Sequence, residues 1–165
     1  TKPDCQACPV QSGCIAAKMA KTDVIPYKSP AKKKPHHTIG VGIIEDDEGK
    51  LLIALRPEDA MLGGLWEFPG GKQKEGEEIQ QTIERELKEE LGVEVKAYKE
   101  LMSLKHTYSH FSITLHAWFC KLISGEPKPR QSQEVRWVKI GELEQYPFPK
   151  ANKKLTEKLI IENDS

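Results

Sequence analysis

The 165-residue sequence has no apolar run long enough to span a membrane, no recognisable signal peptide and no internal repeat. Hydrophobic residues make up 38% of the chain and charged residues 30%, as in a soluble globular protein. The length suffices for one domain with a core and a short extension. We therefore expect a cytoplasmic protein without membrane contact and, at this size, a monomer.

The sequence also lacks an initiating methionine and a net charge, but its charges are unevenly distributed. Residues 1–37 contain seven lysines and two aspartates, a balance of +5, which leaves −5 for the remainder. A basic arm on an acidic body suggests contact with nucleic acid or phosphate, although charge alone favours a solvated linker. Because the chain begins at Thr1, we expect it to be a fragment of a longer protein.

The chain divides into three segments. Residues 1–19 hold a cysteine cluster, residues 20–37 form a Lys- and Pro-rich linker, and residues 38–165 form a compact domain. In that domain, apolar runs on either side of Asp46–Gly49 predict a β-hairpin. Further apolar patterns predict strands over residues 93–104, 111–122 and 134–140, and helices over residues 77–91 and 150–162. This order is typical of an α/β layered domain.

The first of these helices carries a dense run of glutamates. Ile79, Ile83, Leu87 and Leu91 recur every four residues and form its apolar stripe. At 100° per residue, Glu86 and Glu90 lie beside that stripe, with Glu89 one step further round. If Arg85 pairs with Glu89, then Glu86 and Glu90 lack a cation, and such oxygen ligands suit Mg²⁺ or Mn²⁺. The alternative is a solvated acidic helix.

The spacing Gly71-x5-Glu77-x7-Arg85-Glu86-Leu87-x-Glu89-Glu90-x-Gly92-Val93 matches every position of the Nudix box over 23 residues. This resemblance to the Nudix (MutT-like) family implies an α/β/α sandwich with a mixed sheet and cleavage of nucleoside diphosphate derivatives with Mg²⁺. By position, Glu86, Glu89, Glu90 and the Gly70 carbonyl would hold the metal. Glu86 or Glu89 would be catalytic by activating water.

Three cysteines near the start have the spacing Cys5-x2-Cys8-x5-Cys14. In a cytosolic chain this spacing favours metal ligation over a disulfide, but three thiolates are one short of a tetrahedral site. Incidental cysteines are the alternative. The spacing resembles the last three ligands of the iron–sulfur loop of the endonuclease III and adenine glycosylase superfamily. That resemblance implies a [4Fe–4S] cluster in the full-length protein, with its fourth cysteine three residues before Thr1. Cys120, on a predicted strand, is interpreted as a packed thiol.

Tyr108-Ser109-His110 lies between two predicted strands. 8-Oxoguanine differs from guanine by an O8 acceptor and an N7–H donor, and a serine hydroxyl beside a backbone amide offers both complementary groups. The neighbouring aromatic ring can stack against a base. A polar turn without a ligand is the alternative. We interpret His106, His110 and His116 as structural or DNA-facing, and not as a second metal site.

These features occur in the order found in A/G-specific adenine DNA glycosylases (the MutY family), which the chain resembles over nearly its whole length. The resemblance implies the C-terminal part of a base excision repair enzyme that removes adenine opposite 8-oxoguanine in bacterial, nucleoid-associated DNA. The glycosylase active site would lie upstream. This part would bind 8-oxoguanine-containing duplex DNA through Tyr108, Ser109 and His110 and through the linker cations Lys32, Lys33 and Lys34.

The intact acidic positions support two alternatives. One is an active Nudix pyrophosphohydrolase that acts on nucleotides such as 8-oxo-dGTP, and its activity could coexist with lesion recognition. The other is a binding module that keeps the glutamates for folding or for a structural ion. The sequence does not identify the further metal ligand that a later loop usually supplies in active Nudix enzymes.

Overall fold

The computed structural model describes residues 3–25 and 34–163, in two units that divide between Lys33 and Lys34. The first unit contains a 3₁₀ turn at Gln11–Gly13 and a short helix α1 at Ile15–Lys18. No helix within the described residues is long and apolar enough to cross a membrane. The linker lysines Lys32 and Lys33 lie outside the described residues.

The described part of the second unit, residues 34–163, contains seven strands and two helices. The strands are β1 (His36–Ile44), β2 (Lys50–Leu55), β3 (Trp66–Glu67), β4 (Gly70–Lys72), β5 (Glu94–Thr107), β6 (Ser112–Ser124) and β7 (Glu134–Lys139). The helices are α2 (Ile79–Leu91) and α3 (Lys150–Asn163), with a 3₁₀ segment at Ile140–Gln145. One sheet has the order β4-β1-β6-β5 and the other the order β3-β2-β7. Because β1 and β6 run parallel while the other pairs are antiparallel, the first sheet is mixed.

The predicted hairpin around Asp46–Gly49 forms at its turn but does not continue along the two strands. β1 pairs with β4 and β6, whereas β2 pairs with β3 and β7, so the two strands belong to different sheets. Where they meet, Glu45 and Leu51 form an isolated antiparallel bridge, and the Asp46 N–H donates to the Lys50 carbonyl at 2.9 Å. The local pattern identified two strands and the turn between them correctly. It could not show the pairing, because each strand finds its partners in distant segments.

Two apolar clusters lie on opposite sides of the strands. Ile43 and Leu51 face one cluster together with Leu155 of α3. The adjacent Ile44 and Leu52 face the other cluster, together with α2. Alternate side chains of a strand point to opposite faces, so residues of β1 and β2 contribute to both clusters. The predicted α/β/α sandwich with a mixed sheet is thereby confirmed.

Helix α2 begins at Ile79, two residues later than predicted, because Glu78 and Gln81 form a capping box in front of it. Gly92 ends the helix in the left-handed conformation, as predicted. Its apolar stripe is buried through Ile83, Leu87 and Leu91. The helix packs closely on β1, where a Cβ on Gly42 would lie 2.7 Å from the Leu87 side chain. This packing fixes the glutamate-bearing face of α2 relative to the adjacent strands.

The remaining predicted elements are confirmed within a few residues. The three later predicted strands correspond to β5, β6 and β7, and the second predicted helix corresponds to α3. Cys120 is 4% exposed, and burial raises its pKa to about 12, as expected of a packed thiol. β1 begins at His36, so His36 and His37 are strand residues of the second unit.

Candidate active site

Arg85 is the centre of an ion-pair cluster on α2. Its Nε donates to Glu77 Oε1 at 2.6 Å and its Nη2 to Glu77 Oε2 at 3.0 Å. Its Nη1 donates to Glu86 at 2.6 Å and to Glu89 at 3.4 Å. The Arg85 hydrogen bond lowers the pKa of Glu77 to about 2, so Glu77 is ionised at neutral pH. One guanidinium thus holds three carboxylates.

These contacts correct one inference from the sequence. We expected Arg85 to pair with Glu89 and to leave both Glu86 and Glu90 without a cation. Arg85 does contact Glu89, but its shorter contact is to Glu86. Helical spacing identified the i,i+4 pair and could not show that the guanidinium also reaches its direct neighbour. Glu90 is therefore the carboxylate of this face that Arg85 does not hold.

Glu90 lies half-buried between other acidic groups. Its Oε2 accepts a hydrogen bond from the Gly70 backbone N–H at 3.1 Å. Burial, and then the nearby charges of Glu67 and Glu86, raise the pKa of Glu90 to about 8, because the Gly70 N–H only partly offsets them. Burial also raises the pKa of Glu67, although Arg56 opposes this with contacts of 2.7 and 2.8 Å. The folded site therefore disfavours the charged form of Glu90, and its own cations do not offset this.

The glycines of β4 make room for this cluster. Gly70 has φ +150°, and a Cβ there would lie 2.1 Å from the Gly40 carbonyl oxygen, so a side chain is excluded. A Cβ on Gly71 would lie 2.3 Å from the Glu86 carboxyl carbon. β4 therefore places bare backbone against Glu86 and Glu90, which explains why two glycines precede the helix.

A divalent cation fits the chemistry of this cluster. The donors are carboxylate oxygens, and the raised pKa of Glu90 reflects first its burial and then the nearby charges of Glu67 and Glu86, all of which a bound cation would offset. Among residues 3–25 and 34–163, no three His, Cys, Asp or Glu side chains already converge around one point. Glu86 and Glu89 are turned toward Arg85, so ligation by all three glutamates requires their side chains to reorient.

A cavity of about 280 Å³ adjoins the acidic cluster. Its polar lining includes Arg56, Glu67 and Asn152, and its aromatic lining includes Tyr108 and Phe111. The two aromatic rings stack with centroids 4.6 Å apart. Gly70 and Gly71 also line the cavity, so it opens directly onto the backbone that contacts Glu86 and Glu90. A planar aromatic group of base size suits this mixture of ring faces and polar groups.

The structure separates the members of Tyr108-Ser109-His110. Tyr108 lines the cavity, whereas Ser109 and His110 are exposed in the turn between β5 and β6. The Tyr108 N–H donates to the Phe111 carbonyl at 2.8 Å, which closes that turn. Lys34 Nζ donates to the Tyr108 carbonyl at 3.3 Å, so this predicted DNA-binding lysine lies beside the turn.

The predicted cysteine ligands occupy the first unit. Cys5, Cys8 and Cys14 are free thiols of intermediate exposure on either side of the 3₁₀ turn. They are not among any group of three ligands that converges in the described part of the chain. Elsewhere, His116 Nδ1 lies 3.0 Å from Glu100 Oε1 on the surface of the paired strands β5 and β6.

Sequence reasoning missed Arg56, Glu67 and Asn152. Asn152 is 7% exposed and its Oδ1 accepts from the Phe68 N–H at 3.2 Å. These residues come from separate segments of the chain, so no local sequence motif could identify them as a group. One signal was available for Glu67, which stands in the segment LWEF between two pairs of glycines. A charged residue inside a short apolar segment indicates a buried carboxylate with a specific partner.

Comparison with known proteins gives consistent matches. Residues 40–158 match the family model described as a NUDIX domain. The chain is 34% identical over 121 residues to the 8-oxo-dGTP diphosphatase of Escherichia coli K12, covering 73% of this chain and 94% of that protein. It is 37% identical over 117 residues to the CTP pyrophosphohydrolase of the same organism, covering 71% and 87%.

Solved structures agree with these matches. The solution structure of the E. coli ORF135 protein has a TM-score of 0.68 at 34% identity, covering 81% of this chain and 94% of that one. The crystal structure of the MutT protein from Methanosarcina mazei Go1 has a TM-score of 0.74 at 20% identity, covering 82% and 100%. The second likeness supports the fold alone.

Proposed function

This chain belongs to the Nudix family, and on that premise we propose that it hydrolyses a phosphoanhydride bond of a nucleoside triphosphate in the presence of Mg²⁺ or Mn²⁺. The observation that carries the proposal is the shared wall between cavity and acidic cluster. Gly70 lines the cavity and also donates to Glu90, so a base in the cavity lies next to carboxylates suited to a metal.

Glu86, Glu89, Glu90 and the Gly70 carbonyl are the proposed metal ligands. When bound, a divalent ion compensates phosphate charge and lowers the pKa of bound water. Glu86 or Glu89 would accept the proton of the attacking water. Arg85 holds both carboxylates and is itself held by Glu77, so it orients the proposed base. Tyr108 and Phe111 would bind the base of the nucleotide through their ring faces.

The proposed substrate is an oxidised purine nucleotide such as 8-oxo-dGTP. Support comes from the relatives described as 8-oxo-dGTP diphosphatases and from a cavity that combines aromatic rings with the Asn152 amide and the Arg56–Glu67 pair. An amide and a charged pair offer the donors and acceptors that distinguish an oxidised base from guanine. The relative described as a CTP pyrophosphohydrolase makes CTP the necessary comparison.

The test is phosphate and pyrophosphate release from 8-oxo-dGTP, dGTP and CTP, with and without Mg²⁺. We expect Mg²⁺-dependent release that is fastest with 8-oxo-dGTP. Glu86→Gln should lower kcat/KM by about 100-fold, because a proposed metal ligand and base is lost. Glu94→Gln is the matched control, since Glu94 is an exposed glutamate that pairs with Lys88. Absence of Mg²⁺-dependent release from all three nucleotides would refute hydrolysis as the function.

A second candidate function is lesion recognition within an adenine DNA glycosylase of the MutY type. Two observations favour it: the spacing of Cys5, Cys8 and Cys14, and the exposure of Ser109 and His110 in a turn whose Tyr108 faces the cavity. An exposed serine beside an aromatic ring can reach a base in DNA. On this proposal the cysteines would contribute three ligands to a [4Fe–4S] cluster, and the glycosylase active site would lie upstream of Thr1.

Two measurements test this candidate. Ser109→Ala should reduce the preference for duplex DNA with 8-oxoguanine over guanine, while Ser103→Ala, an exposed serine on β5, should not. The gene should encode a cysteine three residues before Thr1. Equal discrimination by Ser109→Ala and wild type would refute a role of the turn in recognising 8-oxoguanine. A residue other than cysteine at that upstream position would refute the proposed iron–sulfur cluster.

A further inference from the structure

A second cavity, of about 310 Å³, lies beside the one that holds the proposed base site. It is lined by the start of β1, at His36, His37 and Thr38, and by the end of β4 with the residues that follow, Lys72 to Glu75. We call it the basic cleft. Lys72 lines both cavities, so a ligand in the first can extend past Lys72 into the basic cleft.

The basic cleft carries positive charge that nothing nearby fully neutralises. Within the described residues no carboxylate pairs with the exposed Lys72 side chain, and Lys74 reaches Glu89 only at 3.7 Å. One carboxylate, that of Glu75, also lines the cleft and is exposed. Two lysines against one carboxylate make this a site for an anion.

The walls of the basic cleft are fixed by hydrogen bonds. Gln73 N–H donates to the Thr38 carbonyl at 2.9 Å, and Gln73 Nε2 donates to the Glu77 carbonyl at 2.7 Å. The two ring nitrogens of His36 lie 2.9 and 3.0 Å from the hydroxyls of Ser112 and Thr114. The cleft is therefore already formed before an anion binds, and binding loses little conformational entropy in its walls.

The basic cleft is also connected to the acidic cluster. The Lys72 carbonyl accepts a hydrogen bond from Arg85 Nη2 at 3.1 Å, and Arg85 holds Glu86 and Glu89. The backbone of β4 thus has the proposed metal ligands on one side and leads directly into the cleft. A phosphate chain that passes the carboxylates in this direction arrives at Lys72 and Lys74.

We propose that the basic cleft binds a phosphate group that lies beyond the one at the carboxylates, on a ligand whose base occupies the first cavity. This inference rests on the proposed function, because it assumes that base site. The phosphate has two possible sources with the same chemistry. It is either the distal phosphate of a nucleoside triphosphate or the neighbouring backbone phosphate of a nucleic acid strand.

The experiment measures binding of inorganic tripolyphosphate and of a ten-nucleotide single-stranded DNA to the full chain by titration calorimetry over a range of salt concentrations. Lys74→Gln should weaken binding of at least one probe by about tenfold, because one charge-assisted contact is lost. It should also reduce the salt slope for DNA by about one. Lys74→Arg, which keeps the charge, should restore most of the affinity.

The matched control is Lys121→Gln. Lys121 is exposed on β6, nine residues along the strand from Ser112, whose hydroxyl contacts His36. Loss of tripolyphosphate binding identifies the distal phosphate as the source, and loss of DNA binding alone identifies the backbone phosphate. Equal affinities of Lys74→Gln and wild type for both probes would overturn the proposal. Because the readout is binding, it separates failure of the cleft from failure of nucleotide hydrolysis.

Discussion

At the scale of single residues, Arg85 determines the state of the acidic face. A helix with Glu86, Glu89 and Glu90 on neighbouring positions suffers like-charge repulsion. Arg85 compensates two of these charges and anchors itself on Glu77 at 2.6 Å. Within residues 3–25 and 34–163, Glu90 lies beside Glu67 with only the Gly70 N–H as a donor. The sequence motif therefore contains two kinds of carboxylate: Glu86 and Glu89 are paired with Arg85, whereas Glu90 has no cationic partner in this cluster.

The contact between Glu77 and Arg85 predicts a specific acid dependence. The pKa of Glu77 is lowered to about 2 in the folded protein, below the ordinary glutamate value of 4.5. Its contribution to stability is therefore fully present above pH 4.5 and is lost as the pH falls toward 2. Urea unfolding between pH 7 and pH 2 should show Glu77→Gln less stable than wild type at pH 7, with the difference shrinking toward pH 2.

The control is Glu126→Gln, an exposed glutamate in the loop before β7. Its difference from wild type should be small throughout the pH range. A Glu77→Gln difference that stays constant between pH 5 and pH 2 would contradict the assignment of the ion pair.

At the scale of elements, strand β4 shapes the site by having almost no side chains. A Cβ on Gly71 would lie 2.3 Å from the Glu86 carboxyl carbon, and Glu86 is the group that must give way. We expect Gly71→Ala to weaken Mn²⁺ binding by about 10- to 100-fold, because a supporting feature of the metal site is displaced. Titration calorimetry measures this effect.

Gly141→Ala provides the comparison, because a Cβ at Gly141 meets nothing within 4 Å. It should bind Mn²⁺ like the wild type. If Gly71→Ala also binds like the wild type, then the position of Glu86 does not matter for the metal.

The end of α2 gives a second prediction at this scale. Gly92 has φ +74°, and a Cβ there would lie within 2.3 to 2.6 Å of the Arg130 guanidinium. Gly49 also has φ +74°, but its nearest neighbour would be 3.6 Å away. Both alanine variants suffer backbone strain of about 1 kcal/mol, and only Gly92→Ala must also displace Arg130. Urea unfolding should therefore show Gly92→Ala as the less stable variant, and equal losses would exclude a role for Arg130.

Sequence patterns predicted elements far better than pairings. The four-residue spacing of Ile83, Leu87 and Leu91 was enough to locate α2, because helical periodicity is a local property. The pairing of β1 with β6 instead of β2 could not be read, since the apolar pattern of a strand does not identify its partner. The site shows the same difference between local patterns, which the sequence predicts, and long-range contacts, which it does not. Its carboxylates on α2 were predicted, whereas Arg56 and Asn152 were not, because the fold brings them together from distant segments.

At the scale of the whole molecule, a metal ion should act as a stabilising ligand of the folded state. We expect Mg²⁺ at 100 times its dissociation constant to increase the free energy of unfolding by about 2.7 kcal/mol, because it binds the folded chain only. Glu90→Gln should lose this increment. Without metal it should be as stable as wild type or more stable, because an ionisable carboxyl group is no longer buried beside Glu67. Thermal unfolding with and without Mg²⁺ measures both effects.

Lys88→Gln is a suitable control on the same helix, since Lys88 is exposed and pairs with Glu94. It should keep the full Mg²⁺ increment. An equal increment in Glu90→Gln and wild type would place the cation elsewhere.

The parallel pairing of β1 with β6 has a consequence for the order of folding events. His36 and Ser112 are 76 residues apart in sequence, and β4 in turn pairs with β1. The backbone hydrogen bonds of helix α2 are local and can form within microseconds, whereas pairing between such distant segments is slow. During refolding, we therefore expect the glutamates to reach helical register before Gly70 and Gly71 are fixed beside them. Helical signal should recover first, and metal affinity only once this long loop has closed.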